Sequence, residues 1–304
     1  MSNVILLCFC LALGAALRAS RRVPDNAHQT INAFVINVSL PALALWQIPS
    51  VHLSRALLVP ISMPWLMFAG VGAVMWYVGR RLRLTPSTTG ALILTAGLAN
   101  TSFMGVPMIE AFYGPSYMGV GLLIDQLGTY LVLSTLGITI ACLCSSGSAS
   151  VKEIAWRVAT FPPLIALVVA LALAPTGLRY PPLVDGILQR LAGTLAPLAL
   201  VSVGLQLRFG ALRGKLGELT LGLVVKLIAA PLLLAILYLE LVGATGPLAR
   251  VTLFEAAMGP QIGGAIVATQ YELDPPLVTL MVGIGTLAAF LSLPVWWYVL
   301  QGAQ

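Results

Sequence analysis

Three ionisable residues, Asp125, Lys226 and Glu255, stand deep inside apolar stretches of the chain. Each lies eight or nine residues from the start of its run, about 12 to 14 Å along a helix rising roughly 1.5 Å per residue. That is near the middle of a bilayer core of about 30 Å. A charge at that depth costs roughly 2.5 to 3.5 kcal/mol on insertion scales, so the three together cost about as much as a typical folding stability. They must be paired, hydrated or functional. A structural ion pair of Lys226 with one carboxylate is the plain alternative, and it accounts for two charges of the three. One lysine and two carboxylates sum to −1, so an anion enters more easily with a proton or another cation. Burial disfavours the charged form of a carboxyl group, and Asp125 or Glu255 is expected to carry a coupling proton, with Na⁺ coupling left open.

Two further segments carry polar groups beside helix-breaking residues. One is Asn100-Thr101-Ser102-Phe103-Met104-Gly105-Val106-Pro107, and the other Met258-Gly259-Pro260-Gln261-Ile262-Gly263-Gly264. Proline removes a donor and clashes with the preceding turn, and glycine lets another backbone approach. Each segment therefore predicts a helix broken near its middle. A break leaves N–H groups unpaired at the start of the second half and C=O groups at the end of the first. Such groups are tolerable at membrane depth only around a water-filled site. Two facing helix starts suit a carboxylate, and two carbonyl ends suit a cation. The predicted substrate-binding set is Asn100, Thr101, Ser102, Gly105, Pro107, Gly259, Pro260, Gln261 and Gly263. The alternative is two simple kinks, common in membrane helices.

The elements that must hold these groups are apolar. Of 304 residues, 59% are hydrophobic and 9% charged, against about a quarter charged in soluble domains; mean hydropathy is +0.97. Ten spans are expected, at about 3–18, 29–48, 55–79, 87–112, 116–144, 154–174, 183–206, 217–239, 247–271 and 276–300. The fold class is all-α membrane protein. The first stretch reads as a retained helix, because its basic residues Arg18, Arg21 and Arg22 follow the apolar run instead of preceding it.

Alternate connectors carry Arg18, Arg21, Arg22, Arg80, Arg81, Arg83, Lys152, Arg157, Arg208, Arg213 and Lys215, against Arg55, Arg179, Arg190 and Arg250 on the other side. The richer set belongs in the cytoplasm. Both termini are then expected on the outer (periplasmic) side of the plasma (inner) membrane. The +6 charge is thus a topology signal, and no nucleic-acid partner is expected. Weak internal echoes recur. Pro41 matches Pro197 at an offset of 156, Ala99, Gly105 and Tyr113 match Ala257, Gly263 and Tyr271 at 158, and Gly128-Thr129 matches Gly285-Thr286 at 157. A repeat of five spans must invert, giving repeats at 1–145 and 152–304 joined by a cytoplasmic linker at 146–151.

Other chemistries lack their parts. Cys8 with Cys10, and Cys142 with Cys144, sit two apart and point to different helix faces, so no metal site, and no cofactor, is expected. Neither H-E-x-x-H nor G-x-S-x-G occurs, and the two histidines, His28 and His52, lie near span ends; the chain is not read as an enzyme. Glu110 and Arg190 are expected to snorkel. Asn32 and Asn37 could join helices or line the site, and Trp296, Trp297 and Tyr298 read as an interfacial belt.

Asn100 to Pro107, followed by Tyr113-Gly114, resembles the fourth-helix motif of the auxin efflux carrier family, which includes plant PIN-type carriers and bacterial malonate or malate carriers. Ala256 to Gln261 with Gln270-Tyr271 resembles its ninth helix, and Lys226 with Pro231 its eighth. The resemblance implies two inverted five-helix repeats with helices four and nine broken and crossing, similar to bile acid:sodium symporters. It implies carboxylic acid substrates, held by Asn100 and the backbone at the crossing. Two departures stand out: Pro260 lies one place later than the motif, and Gly263-Gly264 replace a further proline of the plant proteins. The function expected is secondary active transport of a small organic anion, mono- or dicarboxylate or auxin-like, with H⁺ or Na⁺ as coupling ion and a homodimer left open. An anion channel and a non-transporting sensor are the alternatives.

Overall fold

In a bilayer the backbone must satisfy its own hydrogen bonds, which leaves apolar runs little choice but helix. The computed structural model describes residues 2–50, 58–145, 151–176, 180–206 and 212–302. Among these residues all regular structure is helical, apart from one isolated bridge. In chain order the helices are α1 (Ser2–Ala19), α2 (Ala27–Gln47), α3 (Leu58–Leu82), α4 (Pro86–Ala96), α5 (Val106–Tyr113), α6 (Met118–Cys144), α7 (Val151–Ala159) and α8 (Pro162–Leu173). There follow α9 (Pro182–Gly193), α10 (Leu195–Gln206), α11 (Gly214–Leu241), α12 (Gly246–Ala256), α13 (Ile262–Gln270) and α14 (Pro275–Gly302). Six are long and apolar enough to cross a membrane: α2, α3, α6, α11, α14 and the run Pro182–Ser202 through α9 and α10.

Several long helices are wound wider than α over one turn. Val35–Ser39 precedes Pro41, Thr101–Gly105 precedes Pro107, and Val225–Ala229 precedes Pro231. A proline offers no N–H and crowds the carbonyl four residues back, and a turn with i→i+5 bonds takes up the mismatch. Such bulges gather at functional sites. Both Asp125, in Ile124–Thr129, and Lys226 lie on wide turns.

The helices pack as two groups. In the first, α1 lies along α10, while α2 contacts α8, α9 and α10. Glycine permits the closest approach: a Cβ on Gly14 would stand 2.9 Å from the Gly204 Cα. The second group is α3, α4, α6, α11, α12, α13 and α14. Polar pins join elements within and between groups. The Ser202 hydroxyl donates to Asn32 Oδ1 at 2.5 Å, Ser39 and Thr194 hydroxyls meet at 2.8 Å, and Tyr130 donates to the carbonyls of Leu40 and Pro163. Asn32 thus joins helices, while Asn37 is exposed and bonds its own helix at Ala33.

Span six begins later than expected. Val151–Ala159 is a separate helix with exposed Lys152, Glu153 and Trp156, and α8 starts only at Pro162. Phe161 is extended (φ −66°, ψ 115°), as a residue before proline prefers. Most of the predicted linker, 146–150, lies outside the described residues, as do His52, Arg55, Arg179 and Arg208. Glu110 and Arg190 are exposed. Cys10, Cys142 and Cys144 are free and buried, and no group of metal-binding side chains occurs among the described residues.

Candidate functional site

Both predicted breaks are present. α4 stops at Ala96, and helix resumes at Thr101; α12 stops at Ala256, and α13 begins at Ile262. The two interruptions meet. Asn100 N–H donates to the Gly259 carbonyl at 2.9 Å, and Gln261 N–H donates to the Leu98 carbonyl at 3.3 Å. This is the one isolated bridge, antiparallel between Ala99 and Pro260. Peptide groups released by the breaks thereby satisfy each other where water is scarce. Gly264 allows α13 to close onto α4, since a Cβ there would stand 2.6 Å from the Leu94 carbonyl oxygen.

Beside the bridge lies a cavity of about 20 Å³, room for roughly one water molecule. Both helix starts border it, through Asn100, Thr101 and Ser102 on one side and Gln261, Ile262 and Gly263 on the other. Asp125 forms part of its wall, and the rest is Leu40, Leu43, Tyr130, Leu133, Leu195 and Ile266. The Asp125 carboxylate is 3% exposed and accepts hydrogen bonds from the Thr101 hydroxyl at 2.6 Å and from Gln126 Nε2 at 2.7 Å. The Ser102 side chain bonds the same carboxylate.

The other two charges belong to a different place. Lys226, fully buried, donates to the carbonyl of Ala256 at 2.9 Å. Ala256 is the last residue of α12, so the ammonium caps the carbonyl end of the first half-helix. The ion pair with a carboxylate is therefore replaced by a bond to a peptide oxygen. Elsewhere, Lys215 and Asp274 form an ion pair at 2.6 Å. Glu255 is fully buried, and neither carboxyl oxygen has a hydrogen-bond partner. It faces Gly105 and Gly121: a Cβ at Gly105 would stand 2.7 Å from Glu255 Cδ.

The predicted residues thus divide. Asn100, Thr101, Ser102, Gln261, Gly263 and Asp125 surround the cavity. Gly259 and Pro260 build the bridge, Gly105 backs onto Glu255, and Lys226 and Glu255 sit at the end of α12. Pro107 is the second residue of α5, and its side chain lies outside the described residues. Gln126 and Tyr130 were not foreseen. Tyr130 follows Asp125 by five residues, the spacing that a wide turn brings to one side. Trp296 and Trp297, read as belt residues, turn inward: Trp296 Nε1 donates to the Leu227 carbonyl at 2.8 Å, and Trp297 packs on Phe112 with ring centroids 5.7 Å apart. Tyr298 is exposed.

A larger cavity of about 600 Å³ is lined by His28, Gln29, Asn32, Ile36, Thr269, Gln270 and Glu272. Ile36 and Leu40 are four apart on α2, and Ile266 and Gln270 four apart on α13. Residues at that spacing share a helix face, so the larger cavity continues along the same faces toward the smaller one. On the other side of the bridge, Phe112 and Tyr113, at the end of α5, pack on Phe254 of α12, and Trp297 packs on Phe112.

A family model described as membrane transport protein matches residues 1–297. The chain belongs to the auxin efflux carrier family. Similar proteins include an uncharacterized transporter of Methanothermobacter thermautotrophicus, 30% identical over 98% of this chain and 97% of its own. Another, from Methanocaldococcus jannaschii, also described as an uncharacterized transporter, is 24% identical over 99% of this chain and 98% of its own. In this member of the auxin efflux carrier family, the segments that resemble the family's fourth and ninth helices are the two that meet at the bridge.

Proposed function

We propose that the protein is a secondary active transporter that moves a small organic anion, a mono- or dicarboxylate, across the plasma (inner) membrane by alternating access, with H⁺ or Na⁺ as coupling ion. The observation that carries this reading is the junction of two helix starts around one cavity whose wall holds a carboxyl group, Asp125, and no basic side chain. Each helix start is worth roughly half a positive charge, so two suit one carboxylate. Asp125 opposes such a guest unless a proton or a metal cation neutralises it. That is the physical basis for coupling.

Alternating access rests on the unequal ends of the path. The wide cavity reaches one end of the bundle, and the aromatic cluster around Phe254 packs toward the other. A space of about 20 Å³ is too small for an organic acid, so its walls must part for binding. A continuously open pore has no place in this arrangement, which favours a carrier over a channel.

We read the architecture as ten crossings, with α1, α8 and the two broken segments α4–α5 and α12–α13 added to the six long spans. The repeats cover 1–145 and 152–304, the second inverted, with both termini periplasmic. Support comes from packing pairs that exchange when the halves are swapped. α1 on α10 mirrors α8 on α2, α3 on α6 mirrors α11 on α14, and α3 on α12 mirrors α11 on α4.

Uptake of radiolabelled malonate, malate, lactate and indole-3-acetate into proteoliposomes tests the reading. Saturable uptake driven by a pH or Na⁺ gradient is the expected result. Uptake indifferent to both gradients removes the coupling, currents of many ions per opening identify a channel, and binding without flux identifies a sensor.

A further inference from the structure

We propose that the arginine-rich end of α3 is a binding site for the phosphate of an anionic phospholipid headgroup. Four observations meet there. Arg80 lies over the ring of Trp76, and Arg81 over that of Tyr77, each 5.2 Å from the centroid. Both rings are well exposed, Trp76 at 44% and Tyr77 at 59%. A groove of about 500 Å³ runs beside Trp76, bordered by Arg80, Arg83, Leu84 and Pro86, while Tyr77 and Arg81 stand outside it on the next face of α3. Finally, no acidic residue occurs between 26 and 109, and no ion pair among the described residues engages Arg80, Arg81 or Arg83.

The backbone builds this groove. Arg83 has φ +55°, a left-handed turn, and the Leu84 N–H returns to the Gly79 carbonyl at 2.8 Å. Gly79 brings α3 against α4, since a Cβ would stand 2.6 Å from Thr89 Oγ1. Arg80 and Arg83 thereby border an open space, and neither forms an ion pair with a carboxylate among the described residues. Planar guanidinium forks match phosphate oxygens. Exposed indole and phenol rings at the water boundary suit the headgroup level, and the side of α3 above them is apolar enough for an acyl chain. A topology signal alone requires positive charge on this connector; it does not require a groove or stacked rings.

The site rests on the chain being a membrane protein and not on its transport reaction, so failure of the transport reading leaves it standing. The test compares wild type, R80Q/R83Q and R21Q/R22Q, the last removing equal charge from an exposed turn elsewhere. Each is placed in nanodiscs of phosphatidylcholine, with or without phosphatidylglycerol. Phosphatidylglycerol is expected to raise the thermal midpoint of wild type and R21Q/R22Q and to survive detergent washing in native mass spectrometry. Retention should fall roughly fivefold for each arginine lost from the groove. Equal losses in both variants, no effect of phosphatidylglycerol on wild type, or the same stabilisation by inorganic phosphate in detergent would each overturn the proposal. If R80Q/R83Q is not recovered, R83Q alone, at an exposed turn, makes the same comparison.

Discussion

The Lys226 ammonium is bound to the Ala256 carbonyl at 2.9 Å, which places a fixed cation at the negative end of a half-helix. Glu255, the neighbour of Ala256, acts electrostatically on the same lysine. The protein thus supplies a basic group of its own where the carbonyl end of α12 would otherwise attract a cation. Lys226→Ala should abolish carboxylate uptake while the protein still elutes as a folded species. Its thermal midpoint should fall, because a hydrogen bond from a charged donor is worth about 1.5–3 kcal/mol. Uptake at the wild-type rate would remove Lys226 from the machinery.

Asp125 supplies the carboxyl group of the cavity wall. Asp125→Asn keeps the shape and can still bond Thr101, but it cannot exchange a proton. Uptake by this variant should persist at a reduced rate and no longer respond to an imposed pH gradient. If the response survives, Asp125 is not the carrier, and Glu255→Gln becomes the variant to measure. Asn100→Ala, at the start of the second half-helix, should abolish uptake in protein that remains folded.

Gly105 leaves room for the Glu255 carboxyl group, which an added Cβ would meet at 2.7 Å from Cδ. Overpacking of this kind costs about 1–3 kcal/mol, so Gly105→Ala should lower the thermal midpoint by several degrees. Glu255→Ala removes the obstacle, and the double variant should lose less than the sum of the two single losses. Strict additivity would show that the two positions do not touch.

What the amino-acid sequence reveals is uneven, for physical reasons. Gly259 and Pro260 beside Gln261 locate the second break directly, because they act on the backbone, whereas Gly105 and Pro107 stand inside helix and the first break falls before them, at 97–100. Asp125, Lys226 and Glu255 identify themselves by the cost of burying charge. The partner of Lys226 stays hidden, since a peptide carbonyl has no letter of its own and any residue at 256 supplies one. The wide turns are hidden too, because a helix apolar on all sides has no polar stripe to betray a change of period. Ile154, Ala155 and Trp156 continue the apolar run in the sequence, and they hide the point at which span six begins. Only Pro162-Pro163 marks the true start, by forcing Phe161 out of the helical region.

Asp274 ties three elements together at the end of the bundle nearest α11's start. It accepts from Lys215 Nζ and from the Thr88 hydroxyl, both at 2.6 Å, and its own N–H donates to the Ser87 hydroxyl at 2.9 Å. The pair is largely sheltered, with side chains 28% and 8% exposed. Asp274→Ala should therefore destabilise by about 2 kcal/mol, read as a lower midpoint in a detergent melt. A shift within error would class the contact with surface pairs of little worth.

Orientation follows from labelling. With the described cysteines buried and Cys8 replaced by serine, Glu110→Cys should react with a membrane-impermeant maleimide in intact cells. Glu272→Cys, at the exposed rim of the wide cavity, should react only after the membrane is opened. The reverse pattern would place both termini in the cytoplasm.

The bridge between Ala99 and Pro260 has an evolutionary corollary. Two positions some 160 residues apart in the gene are joined by one pair of backbone hydrogen bonds, so neither segment can be remodelled alone. A lineage that moves the proline of one segment must adjust the spacing of the other in step. Insertions or deletions within either segment should then be tolerated far less than substitutions, and a deep scan that includes both would find the two segments held to a fixed length.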